Sequence, residues 1–130
     1  MRSSLTCRRL RHVMPFMLSE KESGALRDML HHIELAERFA HGRTFESLRD
    51  DLLPLYAITR CLEVISEASR RLSEELKARH MQISWREMAA AGNFYRHNYE
   101  DVLPRRVWKT LREDLPPLRA AIEHELGVQP

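Results

Sequence analysis

The sequence predicts an all-α protein, an antiparallel bundle of four to five principal helices. Leucine, glutamate, arginine and alanine, which favour helices, dominate the 130 residues, and only four glycines are present. Apolar residues recur at the three- and four-residue spacing of amphipathic helices. The stretches between these patterns are short, so consecutive helices are expected to lie side by side in opposite directions.

The first predicted helix begins after Ser19, which has the spacing of a capping box with Glu22. Gly42 supplies a stop signal, and Thr44 can then cap a short helix that Pro54 interrupts. The apolar face of the first helix consists of Leu26, Met29, Leu30, Ile33, Ala36 and Ala40.

A second long helix of about six turns is predicted from Pro54 onwards. Ser84 and Glu87 repeat the capping-box spacing, and they open a further helix that runs toward His97. The apolar face of the second long helix consists of Ile58, Cys61, Leu62, Ile65, Ala68, Leu72 and Leu76.

The last third of the chain predicts two short helices. Pro104 begins one, and the pair Pro116–Pro117 begins the other, which ends before Gly127. Trp85 and Trp108 are expected to anchor the core.

The length supports one domain. We expect a helical domain over residues 19–127, preceded by a basic, disordered tail over residues 1–18; translation from Met14 or Met17 is an alternative. Four arginines precede the first acidic residue, Glu20, and removing their charges from the net charge of +2 leaves −2. Any nucleic-acid contact must therefore come from a local cleft and not from a generally basic surface. The four arginines are Arg2, Arg8, Arg9 and Arg11.

Several classes of protein are disfavoured. No apolar run approaches the roughly twenty residues that cross a bilayer. Cys7 and Cys61 lack metal-type spacing and are interpreted as unpaired thiols, which fits a reducing cytoplasm. The histidines also lack ligand spacing with carboxylates or cysteines, so we expect neither a metal site nor a cofactor.

The stretch from Ile83 to Tyr99, ISWREMAAAGNFYRHNY, resembles the signature of the HepT-like toxins of prokaryotic toxin–antitoxin pairs, which belong to the HEPN superfamily. The resemblance extends from Leu26 to Leu126 and includes LRDML, TFE, ISEASRRL, WRE and LPPLRA. It implies a HEPN-like bundle.

The family motif is an arginine, four residues, a histidine, one residue and a tyrosine, usually with asparagine after the arginine. Asn93, His97 and Tyr99 match it, whereas Gly92 stands at the arginine position. Cys61 and Ser66 stand where the family commonly has asparagine and glycine. These departures predict weakened activity.

The resemblance implies a metal-independent endoribonuclease that acts on RNA. Histidine titrates near neutral pH, so His97 suits the movement of a proton during attack of the 2′-hydroxyl on phosphate. Asn93 lies four residues earlier on the same helix face and could hold the imidazole or a phosphate oxygen. Glu67, Arg86 and Arg96 are candidates for a supporting role, although neither arginine replaces the missing one well within one chain.

Tyr99 has a separate implied role. In HepT systems a nucleotidyltransferase antitoxin of the minimal type (MNT) silences the toxin by attaching AMP to this tyrosine. A bulky anion there would repel RNA phosphates. The resemblance also implies a homodimer with a shared cleft.

The alternative function is a catalytically inactive binding module that docks a nucleotidyltransferase partner, which Gly92, Cys61 and Ser66 favour. A single histidine near a helix end is also often a plain surface or core residue. Glu67 is equally well explained as a solvated charge.

Overall fold

The computed structural model describes residues 18–97 and 102–127, with residues 96 and 97 described by their backbone alone. All regular structure in these ranges is helical, which confirms the all-α class. The predicted tail lies outside them except for Leu18, and its extent stays a prediction. The elements are α1 (Glu20–Ala40), α2 (Phe45–Arg49), α3 (Leu52–Ser69), α4 (Glu74–Ala78), α5 (Trp85–His97), α6 (Leu103–Lys109), a π-helical segment (Thr110–Asp114) and α7 (Leu115–Leu126).

Helix α1 begins and ends where the sequence predicts. The Glu22 backbone N–H donates to Ser19 Oγ at 3.0 Å, and the Ser19 N–H donates to the Glu22 carboxylate at 3.5 Å, which completes the predicted capping box. After α1, Gly42 has a φ of 76°, a left-handed conformation that glycine adopts without strain. Thr44 then caps α2 through a second reciprocal pair with Ser47.

The predicted second long helix is wrong at its C-terminal end, because α3 ends at Ser69 and does not continue to Leu76. Two serines account for the interruption, since serine side chains compete for backbone hydrogen bonds. Ser69 Oγ donates to the carbonyl of Ser66 at 2.7 Å, and Ser73 Oγ accepts from the Leu76 N–H at 3.1 Å as the N-cap of α4. Leu72 and Leu76 are still buried, as their spacing predicted.

Prolines lie in the first turns of the last two helices, where the missing N–H costs no intrahelical bond. Pro104 lies in α6, and Pro116 and Pro117 lie in α7. The two helices are joined by the π-helical segment, in which the Leu115 N–H donates to the Thr110 carbonyl. Because Pro116 and Pro117 cannot donate to the carbonyls four residues before them, the helix widens here.

Helices α1 and α3 form the central antiparallel pair, with α5 packed on α3 and α7 on α1. The ion pair Arg43–Asp51 joins the pair near one end at 3.3 Å, and Arg71–Asp28 joins it nearer the other at 3.0 Å. No described helix is both long and apolar enough to span a membrane. The largest fully buried side chains are Leu26, Met29, Ile33, Leu48, Leu55, Ile58, Leu76, Val107, Leu115, Leu118 and Ile122.

Arg119 ties α7 to α1. Its guanidinium lies 3.2 Å from a carboxylate oxygen of Glu34, also contacts Glu37, and lies 3.2 Å from Glu123 of its own helix. Several partners around one arginine hold it more firmly than an isolated surface pair would.

A buried charge network, which the sequence did not predict, ties α4 to the end of α7. The Arg79 guanidinium donates twice to the Glu125 carboxylate, at 2.7 and 3.1 Å, and His80 Nε2 lies 2.6 Å from it. Burial alone would raise the pKa of Glu125, but the hydrogen bonds from Arg79 and His80 outweigh burial and hold the pKa below its ordinary value of 4.5. Trp85 Nε1 donates to the His80 carbonyl at 3.0 Å, which fixes the start of α5 against this network.

We expect Glu125→Ala to lower the free energy of unfolding by about 3 kcal/mol, because Arg79 and His80 lose the carboxylate that pairs with them inside the protein. Urea titration measures this change. The matched control is Glu46→Gln on the exposed side of α2, which should shift the value by less than about 0.5 kcal/mol. Equal effects of the two variants would contradict the conclusion that the Glu125 carboxylate stabilises the fold through Arg79 and His80.

The same network gives a pH dependence. Since the pKa of Glu125 is lower in the folded chain than in the unfolded chain, its contribution is fully present above about pH 4.5 and is lost as the pH falls through the folded-state pKa. The wild type should therefore lose more stability than Glu125→Gln between about pH 6 and about pH 3.

Candidate functional site

Helix α5 has one face on the bundle and one toward solvent. Arg86, Ala90 and Asn93 are exposed and lie four and three residues apart, so they form one outward stripe. The helix continues to His97, and its register places position 97 on the same stripe, four residues after Asn93. Tyr95, on the opposite side, is buried.

Three predicted site residues have side chains outside the described part of the chain: Arg96, His97 and Tyr99. For His97 the structure gives a helical backbone at the end of α5, and Tyr99 falls within residues 98–101. The expectation that an imidazole and a phenol line one pocket therefore stays a prediction.

Gly92, at the predicted motif-arginine position, is buried between α5 and α3. Its backbone N–H donates to Ser66 Oγ at 3.0 Å, and Ser66 Oγ in turn donates to the carbonyl of Ala89 at 3.2 Å. Ser66 is itself only 2% exposed. Positions 66 and 92, which both depart from the family pattern, are therefore in direct contact.

Arg70, which directly follows α3, contacts the same turn of α5, and the sequence did not predict this contact. Its Nη2 donates to the Ala89 carbonyl at 2.7 Å, while the rest of the residue is exposed. The predicted replacement cations, Arg86 and Arg96, both lie near His97 in the sequence. Arg70 lies 22 positions before Gly92 and is brought close only by the antiparallel packing of α3 and α5.

Glu67 follows Ser66 on α3 and is exposed. Among the described residues its carboxylate has no hydrogen-bond or ion-pair partner. The structure thus places Glu67 in solvent near the α3–α5 contact, and any role toward the motif stays a prediction.

A cavity of about 260 Å³ opens on the other side of α5, between α3, the π-helical segment and the start of α7. Tyr95 lines it, and its hydroxyl lies 3.0 Å from Thr110 Oγ1. Burial raises the pKa of Tyr95, and the hydrogen bond to Thr110 opposes that effect only in part. No sequence pattern indicated this cavity, because its walls come from three stretches that lie apart in the chain, within residues 62–66, 82–95 and 106–118.

Arginines and aromatic rings alternate on a surface formed by α2, α6 and the π-helical segment. Phe45 and Trp108 meet edge to face, with centroids 6.4 Å apart. The guanidinium of Arg105 lies 5.9 Å from the Phe45 centroid, and that of Arg112 lies 5.5 Å from the Trp108 centroid. Arg105 and Arg112 form no ion pair with any described residue, so their charges face solvent.

Cys61 is 3% exposed, and burial raises the pKa of its thiol. Cys61 is therefore a packing residue of α3 and a poor nucleophile; Cys7 lies outside the described ranges. In those ranges no three histidine, cysteine, aspartate or glutamate side chains come together as a metal site.

The part of the chain that contains α5 and the helices packed on it matches a known family. The profile described as Ribonuclease HepT-like matches residues 29–125, which include α5 and the residues that pack on it. The chain belongs to the HepT-like ribonuclease family. This confirms the resemblance on which the site residues were predicted.

Relatives of this HepT-like chain carry names of the same kind. A protein of Thermococcus cleftensis named probable ribonuclease HepT is 39% identical over 98 residues, which cover 75% of this chain and 89% of the relative. A candidate RNase of Caldanaerobacter subterraneus is 29% identical over 101 residues, 78% of this chain and 90% of the relative. No solved structure matches the chain significantly.

We expect Gly92→Arg to lower the free energy of unfolding by about 1–3 kcal/mol, because the added side chain must find space at the buried contact with Ser66. Asn93→Arg introduces the same side chain one position further, on the exposed stripe, and should change stability by less than about 0.5 kcal/mol. Thermal and urea unfolding of both variants test the difference. Similar values would show that position 92 tolerates arginine without rearrangement.

Proposed function

We propose that this HepT-like chain is the toxin of a toxin–antitoxin pair, a metal-independent endoribonuclease with weakened activity. The observation that carries the proposal is the register of Asn93 and His97 on the outward stripe of α5, in a chain whose family is named for ribonuclease activity. Asn93 is exposed in this position, and position 97 follows it by about one helical turn.

In the proposed reaction, His97 accepts the proton of an RNA 2′-hydroxyl as that oxygen attacks the adjacent phosphate. The bond to the 5′-oxygen breaks, and the leaving oxygen takes a proton. A neutral imidazole suits the first step and its protonated form suits the second. Asn93 is exposed and can donate its amide N–H to a phosphate oxygen or to the imidazole.

The weakness of the proposed activity follows from position 92. An arginine there could stabilise the charge that develops on the phosphate, whereas glycine offers no side chain. Loss of such a group costs on the order of 10² to 10⁵ in rate in comparable phosphoryl and acyl transfer systems. Arg86, which is exposed, and Arg96, which precedes His97 in the sequence, are candidates to supply part of this charge from a second copy.

The arginine–aromatic surface supports RNA as the substrate. Arg105 and Arg112 are exposed and form no ion pair within the described ranges, and Phe45 and Trp108 beside them offer ring faces on which bases can stack. Because the net charge of the chain is small, RNA binding would depend on a local basic surface such as this one and not on a generally positive protein.

We also propose that the protein acts as a homodimer in the cytoplasm. Leu52, Leu53 and Tyr56 at the start of α3 and Val102 before α6 are exposed apolar side chains. Because α3 and α5 are antiparallel, the start of α3 lies toward the end of α5 that carries His97. Covering these side chains with a second copy would bring two motif helices together; light scattering measures the assembly state.

Tyr99 is the proposed point of control by an MNT-type nucleotidyltransferase antitoxin. Attachment of AMP adds a phosphate charge two residues from His97 and would repel incoming RNA phosphates.

A second candidate function is a catalytically inactive module that docks the nucleotidyltransferase. The Ser66–Gly92 hydrogen bond favours it, because the motif-arginine position has become part of a helix contact. Under this alternative, modification of Tyr99 and dimer formation persist without RNA cleavage.

The decisive experiment compares RNA cleavage by highly purified wild type, Ser66→Gly/Gly92→Arg, and the double variant with His97→Ala added. Ser66→Gly removes the side chain that occupies the contact, and the arginine should raise cleavage by about 10²-fold or more. Adding His97→Ala should remove the gain. If no version cleaves RNA while each binds the nucleotidyltransferase, the inactive module is the correct function.

Modification of Tyr99 has its own test. Co-expression with a neighbouring nucleotidyltransferase should add one or more AMP units to the wild type, as seen by intact-protein mass spectrometry. Tyr99→Phe should abolish the mass gain, whereas Tyr56→Phe, at an exposed tyrosine of α3, should retain it. If only Tyr56→Phe lost the added mass, the modified residue would be Tyr56 and not Tyr99.

A further inference from the structure

The cavity beside Tyr95 combines an apolar floor with a polar rim. Buried side chains of α3 and α7, including Leu62, Ile65 and Leu118, form the floor. Exposed residues, including Glu87, Lys109 and Glu113, form the rim, so the cavity is open to solvent on that side. A concave apolar site with a few convergent polar groups is the usual form of a small-ligand pocket.

The wall formed by α6 and the π-helical segment is unusually polar. The residues that line the cavity from this wall follow the three- and four-residue spacing of one helix face, the face that packing against a core would make apolar. π-helical turns also occur frequently at functional sites. The wall residues are Arg106, Lys109, Thr110, Glu113 and Asp114.

Arg106 has an unused hydrogen-bond donor in this wall. Its Nε is buried and has no hydrogen-bond partner among the residues that the structure describes, and its guanidinium lies 5.0 Å from the Phe94 ring centroid. A buried donor without an acceptor costs about 1–3 kcal/mol. Arg106 as a whole is partly exposed and lines the cavity, so a rotation of its side chain would bring a guanidinium N–H to an acceptor atom of an occupant.

The charges at the rim select the kind of occupant. Two cations, Arg106 and Lys109, face three carboxylates, Glu87, Glu113 and Asp114. Lys109 lies 3.8 Å from both Glu113 and Asp114, which neutralises much of its charge. The net negative lining disfavours a phosphate inside the cavity and favours a neutral ligand with amine donors.

We propose that this cavity binds a nucleobase that carries an exocyclic amino group: adenine, guanine or cytosine. The ring lies on the apolar floor, a ring or carbonyl acceptor takes an N–H of the Arg106 guanidinium, and the amino group donates to a rim carboxylate. Uracil has no such amino group.

The base would belong to an RNA strand, and this step rests on the proposed function, in which RNA is the substrate. Tyr95 precedes His97 by two residues, which is about 3 Å along the helix axis, although the two positions face opposite sides of α5. A strand that crosses the end of α5 can therefore place one base in the cavity and a neighbouring phosphate beside His97. The cavity would make cleavage prefer amino-bearing bases at that position.

Calorimetric titration of the full-length protein with guanosine, adenosine, cytidine and uridine tests the proposal. At least one amino-bearing nucleoside should bind at least about tenfold more tightly than uridine, the effect of one net hydrogen bond. Glu87→Gln and Glu113→Gln each remove a rim carboxylate and should reduce this preference. Glu46→Gln, on α2 away from the cavity, should leave it unchanged.

Ala91→Trp fills the cavity from α5 and should abolish nucleoside binding, with circular dichroism as the check on folding. Because that variant replaces a partly buried residue, the two rim variants keep the test valid if it fails to fold. Equal binding of all four nucleosides, absence of binding, or rim variants that match Glu46→Gln would each overturn the proposal.

His97→Ala separates this proposal from the proposed nuclease. Nucleoside binding does not use His97 and should survive the substitution, whereas RNA cleavage should not. Nucleoside binding without any cleavage would support the pocket and reject the enzyme. Cleavage that depends on His97 without nucleoside binding would support the enzyme and reject the pocket.

Discussion

The hydrogen bond from the Gly92 backbone to Ser66 is the constraint on which the arrangement of α5 depends. It joins the central helix α3 to the motif helix and fixes the rotation of α5 about its own axis. With Gly92 turned inward, Asn93 and Arg86 face solvent and Tyr95 faces the cavity. The same contact occupies the predicted position of the motif arginine, so the residue that lets α5 approach α3 here offers no charge to a substrate.

The two sides of α5 have different physical character. The outer stripe is exposed and carries a cation and an amide, whereas the inner side borders an apolar floor with a net negative rim. The phosphates of a bound RNA strand would therefore lie along the outer stripe, and a neutral base would lie on the inner side. Local arrangement matters more here than total charge, because the four arginines of the first eleven residues mask a slightly acidic remainder.

The sequence predicted features that depend on neighbouring residues and missed those that depend on distant ones. The Ser19 capping box, the stop at Gly42 and the helix starts at Pro104 and Pro116 are local effects, and each is confirmed. The end of α3 at Ser69 was missed because apolar periodicity continues through Leu72 and outweighed the weaker signal of the serines. The Arg79–Glu125 pair, Arg70 and the cavity join residues far apart in the chain, which no spacing rule reveals.

The π-helical segment makes α6 and α7 one unbroken rod from Leu103 to Leu126. One wall of the cavity therefore contains no loop that could swing open or shut over an occupant. On this side an occupant meets a continuous helical surface, so the polar groups of the wall keep the same spacing whether the cavity is filled or empty. Selection by this wall is therefore a matter of fit and not of closure.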